Sequence, residues 1–257
     1  MNIVVSMKQT FDTEATITLS NGKINSAGVE LVINPYDEFA LEEALKLKEA
    51  AGEGEVVLVS VGGEGVNKAL RTGLAMGADR AVLIDDPALA DADEWAVAVA
   101  LAKAIGQIEY DIVLAGRMAI DDGSSQVAVR LADTLGLPSV TSVIKLDIDG
   151  TKATATKEID GGTEDIEVAL PAVFTAQKGL NEPRLPSMAG IMKSKKKEIK
   201  SVTLADLGFG AGDLLPKTNV VEFSLPSPRS GGHIVDGEPA DAAKELARLL
   251  REEAKAI

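Results

Sequence analysis

The sequence of 257 residues is 46% hydrophobic, carries a formal net charge of −14 at pH 7, and holds one histidine and no cysteine. That size suits one large α/β domain or a domain with a smaller appendage. The missing cysteines exclude disulfides, thiolate nucleophiles, cysteine-bound zinc and protein-ligated iron–sulfur clusters.

The acidic balance works against a polyanionic partner such as DNA or RNA. His233 is the single imidazole and no Gly-x-Ser-x-Gly elbow accompanies it, so hard chemistry has to come from a bound cofactor. No apolar run reaches the ~20 residues of a membrane span; the longest, 95–105, is broken by Lys103. The N-terminal residues lack the basic and long apolar regions of a signal peptide, and a cytoplasmic location is expected.

Along the chain, residues 2–7 are apolar and β-branched, as a buried first strand requires. Asn21-Gly22 marks a tight turn between 15–19 and 23–24. Asn34-Pro35-Tyr36-Asp37 opens a helix that should run to Ala51 and close at Gly52, with Asn34 or Asp37 as its cap. Leu41, Ala44, Leu45, Lys48 and Ala51 share one face of it, and Glu42 with Lys46 forms an expected i,i+4 pair on another. Residues 56–61 read as a central strand, and Gly62-Gly63-Glu64-Gly65 leads into a helix ending at Gly77. Strands at 81–84 and 112–115 then alternate with helices at 93–105 and up to Leu135. That alternation predicts a parallel sheet wrapped by helices.

From Ser139 the pattern changes. Residues 143–148, 153–158 and 166–170 alternate polar and apolar side chains around Asp149-Gly150 and Gly161-Gly162, which predicts an antiparallel meander. Residues 172–176 are expected to return to the main sheet. Beyond Lys178, Pro, Gly and Lys dominate as far as Pro228, and an extended arm over a neighbour is expected. Pro239 starts a last helix whose narrow apolar stripe is Ala243, Leu246, Ala247, Leu250 and Ala254. The stripe packs either on its own domain or on a partner subunit.

Open parallel sheets bind ligands beyond the carboxyl ends of their strands, beside helix N-termini. Ser6, Val61 with Gly62-Gly63, and the segment after Ala115 meet that rule. The last is the richest: Gly116-Arg117-Met118-Ala119-Ile120-Asp121-Asp122-Gly123-Ser124-Ser125-Gln126-Val127. Gly123 permits close backbone approach, while Ser124, Ser125 and Gln126 offer donors at a helix start that favours an anion. The plainer alternative is a helix cap by Ser124. Neither a P-loop nor a Gly-x-Gly-x-x-Gly turn is present. Asp121 and Asp122 are adjacent, a spacing that rarely converges on one metal ion; one capping and one solvated carboxylate is the expectation. Lys193-Ser194-Lys195-Lys196-Lys197 is the strongest basic cluster, either a solvated face or a dock for an acidic partner surface. His233 reads as a loop residue and Trp95 as helix core. The residues alone describe a nucleotide-binding type of α/β fold without a catalytic constellation.

Four ordered blocks resemble the β subunit of electron-transfer flavoproteins. They are Val4-Val5-Ser6-Met7-Lys8-Gln9, the helix start from Asn34 to Ala44, and Ala119-Ile120-Asp121-Asp122 followed by Gln126. The fourth is Leu170-Pro171-Ala172-Val173 with Leu180-Asn181-Glu182-Pro183-Arg184, Ile191-Met192-Lys193 and Lys195-Lys196-Lys197. The resemblance implies an α/β fold with a Rossmann-like, adenine-nucleotide-binding (HUP-type) parallel sheet, a meander and a partner-binding C-terminal arm. On that basis residues 1–200 form the nucleotide-binding domain, with the meander at 140–170 and a recognition loop at 180–197. Residues 201–257 form the arm and helix that pack on the α subunit.

The resemblance also implies a heterodimer with a flavin-carrying α subunit, acting as an electron carrier without catalytic residues of its own. In this family FAD sits mainly on α and the β subunit buries a structural AMP. Electrons arrive from acyl-CoA and similar dehydrogenases, as in fatty-acid oxidation, and leave to a quinone-linked membrane oxidoreductase. Carried onto this chain, AMP would touch Ser6, Asn34, Pro35, Tyr36, Asp37, Val61 and every residue of 116–127. Pro183, Arg184, Leu185, Met188, Ile191 and Met192 would belong to the loop that docks dehydrogenases, with Met188 in place of an anchoring leucine. Glu158 falls where the family has an acidic residue that positions the mobile flavin domain. Relatives with a second FAD in β, which bifurcate electrons from NADH, follow the loop's Gln-Val with Gly-Pro and lack the Asn-Glu-Pro-Arg block. Ala128-Val129 and residues 181–184 therefore point to AMP, with a second FAD as the alternative. A stand-alone nucleotide sensor of the universal-stress type shares the architecture but leaves the meander and the 178–228 segment without purpose.

Overall fold

In the computed structural model, which describes residues 1–228 and 231–257, the apolar run near the N-terminus forms β1 (Ile3–Ser6) within a nine-stranded sheet. β2 (Gln9–Phe11) leaves the sheet, and β3 (Thr18–Ser20) and β4 (Lys23–Asn25) make a hairpin. Its turn residues Asn21 and Gly22 have φ of 53° and 73°, the left-handed pair that a two-residue hairpin turn needs. β5 (Leu31–Ile33) returns beside β2 and feeds α1 (Pro35–Ala51), which Gly52 ends at φ 76°.

Strand and helix then alternate. β6 (Val56–Val61) leads through a 3-10 turn (Glu64–Val66) into α2 (Asn67–Met76) and β7 (Arg80–Ile84). A second such turn (Pro87–Leu89) precedes α3 (Glu94–Ile105), β8 (Ile112–Gly116) and α4 (Val127–Leu135). β9 (Ser139–Asp149), β10 (Lys152–Ile159) and β11 (Gly162–Ala169) form the meander, and β12 (Ala172–Ala176) re-enters the sheet. The sheet order is β11-β10-β9-β12-β8-β1-β6-β7 with one further strand at the β7 edge. Pairing from β9 to that edge is parallel, and the meander extends the opposite edge antiparallel. Alternate β1 residues feed two cores: Ile3 and Val5 pack with α1 and α2, while Val4 packs with α3 and α4. Cover on both faces is why these strands are mostly apolar instead of alternating.

Two expectations for α1 need correction. Ala51 is exposed, whereas Glu42 and Glu43 are buried. Glu42 does not pair with Lys46: it takes a bidentate guanidinium from Arg184, and Lys46 reaches Glu43 at 3.4 Å instead. A planar fork matches both carboxylate oxygens, which a single ammonium does not.

The 178–228 segment is not one extended arm. It forms α5 (Met188–Ser194) and then β13 (Ile199–Val202), the strand that extends the sheet beyond β7 and straddles the expected division at residue 200. Leu204, Leu207 and Leu214 are buried in the core on the α3 face. Beyond them the chain turns outward, with Leu215, Val220, Val221 and Leu225 exposed. α6 (Pro239–Glu252) keeps all its residues exposed or half-buried, so its apolar stripe is not covered by its own domain. Among the described residues no helix is long and apolar enough to cross a membrane.

Candidate functional site

After β7 the chain crosses to the other side of β1, so the sheet reverses its strand order between β1 and β8. A crevice opens at such a switch point. Here the ends of β6, β1 and β8, at Val61, Ser6 and Gly116, face a cavity of about 620 Å³.

The start of α1 ties this crevice together. Asn34 stands at its N-cap position, yet its side chain does not cap the helix. Its Nδ2 donates to the Met118 carbonyl at 2.9 Å and its Oδ1 accepts from Ile120 N–H at 3.2 Å. Asp37, one turn on, is buried and accepts from Lys8 N–H at 2.7 Å and Gly116 N–H at 2.9 Å. Burial pushes its carboxyl up to about 7, against those two amides. Gly116 has to be glycine, because an added Cβ would lie 2.3 Å from Asp37 Oδ1.

The 116–127 loop is folded around its own carboxylates. Lys8 Nζ bridges Asp121 Oδ1 at 2.8 Å and Asp122 Oδ2 at 2.7 Å, so neither aspartate is simply solvated. Burial lowers and the two carboxylates raise the Lys8 ammonium, with a net upward shift; against burial, Lys8 and Ser124 hold Asp122 below its usual range. Ser124 is not the helix cap. Its N–H donates to Asp122, and the cap position falls to Gln126, whose side chain is occupied by Arg130. Gln126, Val127 and Ala128 therefore bring a helix start without a side-chain cap to the cavity wall. First-turn amides have no acceptor within their helix, and that is where an anion is favoured.

Of the nucleotide residues expected from sequence, Ser6, Asn34, Asp37, Val61, Gly116, Arg117, Met118, Ala119, Asp122, Ser124, Ser125, Gln126 and Val127 line the cavity. Pro35, Tyr36, Ile120, Asp121 and Gly123 do not line it. Among the described residues there is no acidic or histidine cluster able to hold a metal ion.

Sequence reasoning missed the opposite wall: Asp91, Asp93, Glu94 and residues 218–220. Asp93 Oδ1 caps α3 through Ala96 N–H, and its Oδ2 accepts from Lys217 and Thr218 N–H at 2.6 and 3.0 Å. Against the push of burial, these amides hold Asp93 below the ordinary carboxylate range. Lys217 Nζ sits 4.3 Å from the Trp95 ring centroid. Trp95, expected as helix core, is half-buried: it packs against the core on the α3 face with a lysine over its ring. Asp93 as an α3 cap was legible locally; its bonds to residues 124 and 125 positions away were not.

The second group of expected site residues lies elsewhere. Leu185, Met188, Ile191 and Met192 are exposed, and Arg184 lies along α1 against Glu42 and Glu49. Lys197 of the basic cluster turns inward, donating to the Leu74 and Ala78 carbonyls, while Lys193, Lys195 and Lys196 face solvent. Glu158 is exposed on β10, and its Oε2 accepts from Gln177 Nε2 at 2.5 Å.

Comparison with known proteins agrees with this architecture. Residues 21–207 match the model of the electron transfer flavoprotein domain. The chain is 48% identical over 258 residues to electron transfer flavoprotein subunit beta of Bacillus subtilis, covering all of both chains. It is 48% identical over 255 residues to the same subunit of Syntrophomonas wolfei, covering 99% of this chain and 98% of that one. The mitochondrial subunit of Oryza sativa subsp. indica is 38% identical over 259 residues, covering 97% of this chain and 100% of that one.

Proposed function

The chain belongs to the electron-transfer flavoprotein family as a β subunit, the partner of an α subunit in a heterodimer, and from that membership we propose that it binds AMP in the cavity at the ends of β1, β6 and β8. The observation that carries this reading is the uncapped start of α4 at the cavity wall, which suits a phosphate without requiring a lysine. The residues fit the ligand. Asn34 and Asp37 hold the loop in shape, Lys8 neutralises its carboxylates, and the volume of about 620 Å³ suffices for a mononucleotide. AMP supplies no redox chemistry; it fills and braces the crevice.

FAD, held mainly by the α subunit, supplies electron transfer when bound. On this reading the protein is a carrier: it accepts electrons from acyl-CoA-type dehydrogenases that dock at 183–192 and passes them to a quinone-linked oxidoreductase, from the cytoplasm. Glu158, oriented by Gln177, positions the flavin domain between these two encounters.

The test is to purify the heterodimer, denature it, and quantify the released nucleotides by chromatography. One FAD and one AMP per heterodimer is the expected result. Two FAD and no AMP would make it a bifurcating type with flavin in both subunits, and the absence of any nucleotide attributable to β would refute the cavity assignment.

A further inference from the structure

Leu185, Met188 and Met192 are 89%, 77% and 70% exposed. Three large apolar side chains grouped in this way mark an interaction surface. A segment that presents them has to be held by something other than their own burial.

Polar clamps hold it on both flanks. Upstream, Asn181 Nδ2 donates to the Phe39 carbonyl at 3.0 Å and to Glu43 Oε2 at 2.9 Å. The Arg184 guanidinium spans Glu42, at 2.9 and 3.0 Å, and Glu49, at 2.6 and 3.1 Å. Downstream, α5 crosses α2 so closely that a Cβ added to Gly190 would lie 2.2 Å from the Ala75 carbonyl oxygen. α2 and the turn that follows α5 satisfy carbonyls near each other's helix ends. Arg71 of α2 donates to the Ser194 and Lys197 carbonyls at 2.5 and 2.6 Å, and Lys197 returns its ammonium to the Leu74 and Ala78 carbonyls at 3.0 and 2.5 Å. Carbonyls at a helix end otherwise lack partners, so the downstream clamp satisfies groups that would be left to water.

We propose that Arg71, Lys197 and Arg184 are positioning residues for dehydrogenase docking: they fix the apolar knob of Leu185, Met188 and Met192 in its binding geometry and act through it, not through contacts of their own. The proposal rests on the reading above that this surface docks a dehydrogenase. The partner surface it fits is an apolar pocket with an acidic rim, because exposed Lys193, Lys195 and Lys196 flank the knob on a chain of net charge −14. A knob ordered in advance spares the complex the entropy of ordering it.

The experiment uses the heterodimer with an acyl-CoA dehydrogenase from the same organism. Arg71→Ala is expected to raise the KM for the flavoprotein roughly five- to tenfold, with kcat within about twofold, as the ordering cost of a few side chains predicts. Hydrogen exchange of residues 188–194 should quicken in the same variant. In a Met188→Ala background the effect of Arg71→Ala should shrink, because both act through one knob. Faster exchange with unchanged KM would overturn the proposal, as would full multiplicative effects of the two substitutions, which would mean that Arg71 meets the partner itself. Should Met188→Ala alone leave KM unchanged, the docking reading fails and takes the proposal with it. If Arg71→Ala prevents assembly, Lys197→Gln removes the reciprocal cap and is read in the same way.

Discussion

Asp37, in the first turn of α1, ties two strand exits together by accepting from Lys8 and Gly116 N–H. Folding raises it from 3.8 to about 7, because burial outweighs those donors. The folded protein therefore binds this proton more tightly than the unfolded chain does. The resulting stabilisation is complete below 3.8 and is lost as pH rises through about 7. Asp93 and Asp122 are depressed, so their contributions fade at lower pH, below the ordinary carboxylate range. Thermal melts should accordingly show Tm falling between about pH 5 and about pH 8, and Asp37→Asn, which carries no titrating proton, should flatten that slope. An equal slope in the variant would rule out Asp37 as its source. Asn34 gives the opposite lesson about legibility. Its place before Pro35 identified the helix start, but its side chain serves Met118 and Ile120 across 84 and 86 residues, and no local pattern encodes that.

At the scale of elements, the alternating strands and helices were readable because both sheet faces are buried and the strands are mostly apolar. The hairpin was readable from Asn21-Gly22, whose turn demands left-handed residues. β13 was not. It is an edge strand of four residues with Lys200 and Ser201 exposed, and the Pro- and Lys-rich sequence around it suggests a loose arm. The cavity's strand-end wall and the 116–127 loop were likewise legible, since ligands gather at strand exits. The wall at Asp93 was hidden because tertiary bonds made it. Asp93→Ala removes the cap of α3 and the pin on 217–218 together. A loss of about 1–2 kcal/mol in denaturant unfolding is expected, with faster exchange of the Lys217 and Thr218 amides. Exchange unchanged at those two positions would show that the pin is not formed.

Across the whole molecule, a second set of apolar groups, apart from the knob of Leu185, Met188 and Met192, is left outside. Val221 is 98% exposed, Ile234 80% and Leu246 49%, all beyond the last buried leucine, Leu214. Surfaces of that kind are covered in an assembly or drive association. The isolated chain should therefore self-associate on size-exclusion chromatography. Adding the α subunit should give a single heterodimer with exchange slowed across 215–257; persistent fast exchange there would place the interface elsewhere. The α6 stripe was visible in the sequence, but whether its own domain covered it was a question of tertiary geometry alone.

The bond from Asp93 to Lys217 also has a meaning in time. The two residues are 124 positions apart, and translation adds roughly 5–20 residues per second, so the second wall follows the first by about 6–25 seconds. During synthesis the crevice is first lined by strand ends and the start of α3, and gains its lining from 218–220 only when the last fifth of the chain arrives.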